Sequence, residues 1–491
     1  MINKIKQQTQ VNQFTFVFSH YSVLLAVIFL AAMIILCDGI TFAQPNPPFV
    51  RGTEPVNTTQ VTNTPVQVTP PNTAATVTNP AITAELEKAV TAFNNSKFSE
   101  ALDILKALYA SHPEIAPPRV IMAQMFAQAK LSDAVRANLE LGTEETPSDP
   151  EAYLLLGEIA LRQRNLTAAE LLLKRAAETV QAYSASETRK KNLTSSIMRV
   201  FSDLYESRQR WAQMEKCVDD QIRFDGQNAT FLRRKGIAVF RQDRDEEAKK
   251  LFLQADQLDQ TNKESGQKGI PADAIMAQLY LTRGDKDKAR TFLEAALRAY
   301  PDSKEVLALS IQMRVSDDKL EEATPLAQRL LAEDPTSSSA KRLRATVGLY
   351  LQDYVLAEKL FQELLLESPT DAPAQNGLAL ALCEQNSPDK LKRALEYAVD
   401  NVRKNQSNGE FWGTLGWIQY KANLTEEAEK SLKQSIATGS INAATAYYYA
   451  RLAVKSNKID EAKRFLNLAL QGNNQFAKRR EAAQLLKELS K

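Results

Sequence analysis

An all-α solenoid is the fold class this sequence predicts: about eleven helical hairpins in a row, ended by a capping helix. Two observations carry it. Small residues recur at a fixed interval, as Ala101, Ala134, Ala169, Ala248, Ala289, Ala323, Ala357, Ala394, Ala428 and Ala462, with Met214 in the one slot that lacks alanine. Successive spacings are 33, 35, 45, 34, 41, 34, 34, 37, 34 and 34. A period of 34 belongs to a two-helix unit too small to bury its apolar face alone, so neighbours must stack. Composition agrees. Of 491 residues, 16 are Gly, 3 Cys and 2 His. That leaves little for turn-dense β folds, glycine-rich phosphate loops, disulfide scaffolds or Cys/His zinc sites.

Residues 1–43 read as a signal peptide or a signal anchor. Lys4 and Lys6 precede an apolar run from Val23 to Cys37, and Thr41-Phe42-Ala43 offers small residues at a cleavage site. Fifteen residues span about 22 Å as a helix, less than a hydrocarbon core of about 30 Å. Upstream aromatics from Phe14 extend the run at the cost of embedding Ser19, His20 and Ser22, so retention as an anchor is the rival to cleavage. Either way the array is placed outside the cytoplasm, periplasmic or secreted, with membrane contact only through residues 14–37 if the signal is kept. Residues 44–80 carry 8 Pro, 9 Thr and only two charges, Arg51 and Glu54. Nothing there is periodic, and the segment is expected to be a disordered, solvated Pro/Thr/Asn-rich linker.

Hairpins follow over 81–476. The spacings of 45, 41 and 37 exceed the period by 11, 7 and 3 residues, which loops near 180–195, 260–270 and 384–390 are expected to absorb. Small first-helix residues (Gly157, Gly236, Ala277, Ala345, Gly416, Ala450) are expected where paired helices cross. Thr167 and Glu170 suggest a capping box, and Pro325 is placed in a first turn. Residues 477–491 are expected to form the capping helix, with an apolar stripe of Ala482, Leu485, Leu486 and Leu489. Lys478, Arg479, Arg480, Glu481, Lys487 and Glu488 would cover its solvated side.

The array resembles the tetratricopeptide repeat family. Trp412-Gly413-Thr414-Leu415-Gly416, followed by Ala428, fits the family's W-x-x-L-G…A pattern. Tyr153, Leu156, Gly157 and Ala169 repeat it, as do Leu232, Gly236, Ala248 and Phe252. Closing prolines stand at Pro113, Pro301, Pro335 and Pro369, each twelve residues after its alanine. The resemblance implies a right-handed superhelix whose groove, lined by first helices, binds a protein or peptide. Carried over unit by unit, it assigns partner binding to Trp417, Tyr420, Lys421, Tyr447, Arg451 and Lys455. The same residues also suit packing between hairpins, so both readings stand. Glu158, Arg162, Arg199, Asp203, Glu206, Arg233 and Arg241 read as a salt-bridged surface. A carboxylate clamp of the kind some relatives use is missing: its places hold Leu86, Val90, Arg119 and Ala123.

Lys+Arg 61 against Asp+Glu 59 gives a net charge of +2, which argues against nucleic acid as a partner. No cofactor or metal set is recognisable. His112 stands at a turn, and Cys217 and Cys383 lie five units apart as thiols. The function expected is a non-catalytic, exported scaffold for protein–protein interaction, within an envelope assembly or secretion complex. An exported enzyme or carbohydrate-binding protein with a groove site, and a membrane-tethered spacer, are the alternatives. Self-association is left open.

Overall fold

The computed structural model describes residues 68–70, 79–261, 269–439, 441–471 and 475–490. The signal expected over 1–43 and most of the segment expected as a linker lie outside the described residues. Every regular element among the described residues is an α-helix, and the fold is an all-α solenoid. The chain divides into two compact units between Gly269 and Ile270.

Five hairpins make the N-terminal unit: α1 (Pro80–Asn94) with α2 (Phe98–Ser111), α3 (Pro118–Gln128) with α4 (Ser132–Glu145), α5 (Pro150–Arg162) with α6 (Leu166–Ala182), α7 (Glu187–Ser207) with α8 (Trp211–Asp225), and α9 (Ala229–Phe240) with α10 (Asp245–Thr261). Six make the C-terminal unit: α11 (Ala272–Arg283) with α12 (Lys286–Ala299), α13 (Lys304–Ser316) with α14 (Leu320–Glu333), α15 (Ser338–Tyr350) with α16 (Tyr354–Glu367), α17 (Ala372–Cys383) with α18 (Pro388–Lys404), α19 (Gly409–Lys421) with α20 (Thr425–Ala437), and α21 (Ala443–Lys455) with α22 (Ile459–Leu470). Then comes α23 (Arg479–Leu489).

Each hairpin turns on one residue with left-handed backbone: Ser96, Lys130, Arg164, Gln209, Asp243, Gly284, Asp318, Gln352, Asn386, Asn423 and Asn457. The amide after it usually reaches back five residues, as from Lys97 to the Ala92 carbonyl at 2.9 Å and from Asp353 to Gly348 at 2.8 Å. That closes the first helix. The residue after the turn often caps the second helix. Asp353, for example, accepts from the Leu356 amide at 3.2 Å. Pro113, Pro301, Pro335 and Pro369 fall just past helix ends, where they cannot continue the helix.

The periodic alanines are the packing centres. All but half-buried Ala134 are fully buried, as is Met214. The glycines facing them stand at close approaches of the paired helices, as expected. A methyl group on Gly157 would meet Leu173 at 3.1 Å, and one on Gly416 would meet Leu432 at 2.6 Å and the Ala428 carbonyl at 3.2 Å. Each glycine makes room for the bulky residue one turn beyond the alanine.

Four expectations change. The 11 extra residues lengthen helices instead of a loop: α6 has 17 residues and α7 has 21, against 13 and 14 in α13 and α14. Apolar period continues through them, with Val180, Leu193, Ile197, Val200 and Leu204 buried. The 3 extra residues likewise extend α18, of 17 residues, at its start. Asn165, not Thr167, caps α6, accepting from the Ala168 amide at 3.2 Å. Glu170 is free to pair with Arg208 at 2.8 Å. Pro325 lies in the second turn of α14, because that helix begins at Leu320.

Candidate functional site

The last hairpins hold a piece of their own chain. Before α23, Phe476 is 7% exposed and its ring lies 5.8 Å from that of Tyr447. Lys478 Nζ donates to Tyr354 Oη at 2.8 Å and to Glu481 Oε1 at 2.9 Å, and approaches Glu384 Oε2 at 3.2 Å. Glu481 also accepts from Tyr447 Oη at 3.1 Å and from Gln352 at 3.0 Å. Arg480 reaches Glu321 at 3.3 Å. Lys478 and Glu481 were expected on a solvated helix face. They are drawn inward because Tyr447 of the first helix α21, Gln352 and Glu384 at hairpin turns, and Tyr354 at the start of α16 supply their partners.

Glu384 is the focus. It follows α17, and its side chain is 9% exposed. Besides Lys478 it receives Trp417 Nε1 at 2.8 Å and faces Lys421 Nζ at 3.4 Å. Burial opposes the charge on Lys478, but Glu384, Tyr354 and Glu481 outweigh it and hold the ammonium well above its ordinary pKa. For Glu481, burial raises and the bonds from Lys478 and Tyr447 lower; the latter prevail, so its pKa is depressed.

The six residues assigned by resemblance are brought together here, in different settings. Trp417 is 4% exposed and stacks on Tyr420 at 5.2 Å and on Tyr448 at 4.7 Å. Tyr447 has no exposed surface, and burial raises its pKa. Tyr420, Lys421 and Arg451 are half-buried and Lys455 is exposed. Lys455 Nζ lies 5.3 Å above the Tyr420 ring and donates to Asn423 at 3.0 Å. The two largest aromatics are thus enclosed by the chain, while the polar rim around them stays accessible.

Glu384, Tyr354, Tyr448, Phe476, Lys478 and Glu481 were missed by sequence reasoning. A signal existed for Glu384. It stands two residues before its hairpin's left-handed residue, the same place as Lys421 before Asn423 and Lys455 before Asn457. Counting from the turns instead of the alanines also aligns Asn94 with Gln128. These two hold Val68 and Thr69, in the segment expected to be a solvated linker: Val68 is 3% exposed and bonded to Asn94, and Thr69 is bonded to Gln128.

The mixed-charge face of the N-terminal unit is salt-bridged. Arg199 pairs with Glu158 at 2.6 Å and Asp203 at 3.5 Å, and Arg234 with Asp203 at 2.5 Å. Arg233 turns to Asp256 and Asp259 within its own hairpin. Arg189 holds Asp149 at 2.6 Å and Glu151 at 2.7 Å. Cys217 and Cys383 are free thiols; burial pushes Cys217 up to about 12 and Cys383 well above the usual thiol value. His112 Nδ1 lies 3.0 Å from Glu114. Among the described residues no group of His, Cys, Asp and Glu could hold a metal ion, and no helix is long and apolar enough to cross a membrane.

No curated protein matches the sequence. Among solved structures, the chain is similar to a tetratricopeptide repeat protein from Parabacteroides merdae at 13% identity and TM-score 0.42, over 54% of this chain and 99% of that one. It is similar to a thermophilic TPR protein of Thermus thermophilus at 19% identity and TM-score 0.33, over 38% and 99%. It is similar to the human IFIT1 dimer at 17% identity and TM-score 0.41, over 72% and 85%. Residues 127–186 and residues 271–313 each match a tetratricopeptide repeat family. The chain therefore carries tetratricopeptide repeats in both of its units.

Proposed function

We propose that this chain is an exported, non-catalytic scaffold that binds extended polypeptide segments on the first-helix faces of its hairpins. Tetratricopeptide repeats generally act as protein-interaction scaffolds. One observation supports the finer reading: Glu384 and Tyr447, from different hairpins, meet Lys478 and Phe476 of the non-helical stretch before α23, and Trp417 of the hairpin between them braces Glu384. A face that holds an apolar residue and a cation in cis has the chemistry to hold such a segment from a partner. The carboxylates there are matched by cations, which suits binding better than proton transfer. Export rests on the apolar run of Val23 to Cys37 and places the partner in the cell envelope or outside it.

A photo-crosslinking residue at Tyr420, on the accessible rim, should give a discrete adduct in native envelope. The same probe at Leu366, on the outer face of α16 and 83% exposed, should not. Equal labelling from both would remove the groove reading. Sequencing the mature N-terminus tests export: a start at Gln44 shows cleavage, and Met1 or Ile2 shows a retained anchor.

A further inference from the structure

In the N-terminal unit two carboxamides grip the backbone of a separate stretch of chain. Asn94 ends α1 and Gln128 ends α3, at equivalent places two residues before Ser96 and Lys130. Asn94 Oδ1 accepts from the Val68 amide at 2.9 Å, and its Nδ2 donates to the Val68 carbonyl at 3.1 Å. Gln128 does the same for the next residue. Its Oε1 accepts from the Thr69 amide at 3.0 Å and from the Thr69 hydroxyl at 3.3 Å, and its Nε2 donates to the Thr69 carbonyl at 3.1 Å.

The stereochemistry explains the pairing. In extended backbone the N–H and C=O of one residue point to one side, and those of the next residue to the other. A carboxamide is the neutral side chain that offers a donor and an acceptor together, as a neighbouring strand would. One carboxamide from each of two successive hairpins therefore reads one residue each. Such bonds are blind to side chains. Selectivity comes from the slot that buries Val68 in the cluster with Val90, Phe93 and Phe126, and from the Thr69 hydroxyl.

We infer that Asn94 and Gln128, with the apolar slot under Val68, form a binding site for an extended polypeptide segment containing a Val–Thr pair. The site is filled in cis by Val68-Thr69 and is thereby closed to such a segment in trans. This deepens the scaffold reading and rests on it. The linker itself repeats the recognised pair: Gln67-Val68-Thr69 has a copy in Gln60-Val61-Thr62, and Val77-Thr78 follows. Thr69 is only ten residues from Asn79, the cap of α1, so its effective concentration at the site is high and a free ligand competes poorly.

The test uses the full chain and a fluorescent peptide of sequence TPVQVTPPN, residues 64–72. In the wild type the Val68 and Thr69 amides should exchange slowly with solvent, and the peptide should bind weakly. The double variant Val68→Asp/Thr69→Pro alters only the linker, removes the amide that Gln128 accepts and empties the slot. It should bind the peptide at least ten-fold more tightly. Adding Asn94→Leu and Gln128→Leu should abolish that gain, and Asn94→Asp, which keeps the acceptor and loses the donor, should abolish part of it. Unchanged helical circular dichroism checks the fold. Wild-type amides that exchange like those of a free peptide would overturn the cis occupancy. Protected amides with no peptide binding by the emptied chain, or binding indifferent to the leucine substitutions, would overturn the site. Neither result bears on the Tyr420 crosslink, so the scaffold reading fails or stands separately.

Discussion

Lys478 meets Glu384 at 3.2 Å with both side chains 9% exposed, joining the segment before the last helix to the end of α17. A buried pair of this kind is costly to break from one side, because the remaining Glu384 charge keeps little water and only Trp417 Nε1 and the more distant Lys421. Lys478→Met should destabilise the C-terminal unit by about 3 kcal/mol, seen as a lower urea midpoint. Glu384→Gln added to it should recover part of the loss. A double variant as unstable as the sum of the two singles would show that the pair is not coupled.

The same segment should respond to acid. The folded-state pKa of Glu481 is depressed: burial opposes this, but Lys478 and Tyr447 outweigh it. A depressed carboxylate contributes stability above its unfolded pKa of about 4.3 and loses it as pH falls through the folded value. Thermal midpoints of the wild type and Glu481→Gln should therefore differ at pH 6 and draw together as pH falls below about 4.3 and through the folded value. A difference unchanged between pH 6 and pH 2.5 would assign the effect to packing.

Arg189 ties α7 to the start of α5. It pairs with Asp149, 3% exposed and itself the cap of α5, and with Glu151. Arg189→Ala should cost about 3–5 kcal/mol by stranding two inward carboxylates. Arg189→Lys should recover only part, since an ammonium cannot bridge Asp149 in bidentate fashion. Chemical denaturation of the three proteins reads both effects.

A methyl group on Gly236 would run into the ring of Phe252. Gly236→Ala should destabilise by about 1–3 kcal/mol through overpacking, and Phe252→Leu in the same chain should relieve some of it. If Gly236→Ala is neutral by thermal unfolding, the close contact of α9 with α10 is not limiting.

Lys130 sits at φ 60° in the turn between α3 and α4. Side chains with a Cβ pay about 1–2 kcal/mol in that region. Lys130→Gly should raise the unfolding midpoint by about 1 kcal/mol's equivalent, less the extra entropy glycine brings to the unfolded chain. A lower midpoint would show that the lysine side chain packs to some purpose.

Hairpin register was readable from Ala169, Gly157 and Pro335 because each reports a contact made within one unit of the repeat. Asn94 and Gln128 were harder to see. The alanines after them are 33 apart while the turns are 34 apart, so counting from alanines displaces one against the other.

By itself, then, the sequence determined the two-helix unit, its length and its places of close approach, since those depend on neighbours a few turns away. Only the tertiary structure decided which faces the chain fills for itself. Lys478 meets Tyr354 across 124 residues, and that meeting depends on the rotation accumulated over several stacked hairpins of the C-terminal unit. Each hairpin contributes a small angle set by its packing, and no local pattern of residues encodes the sum.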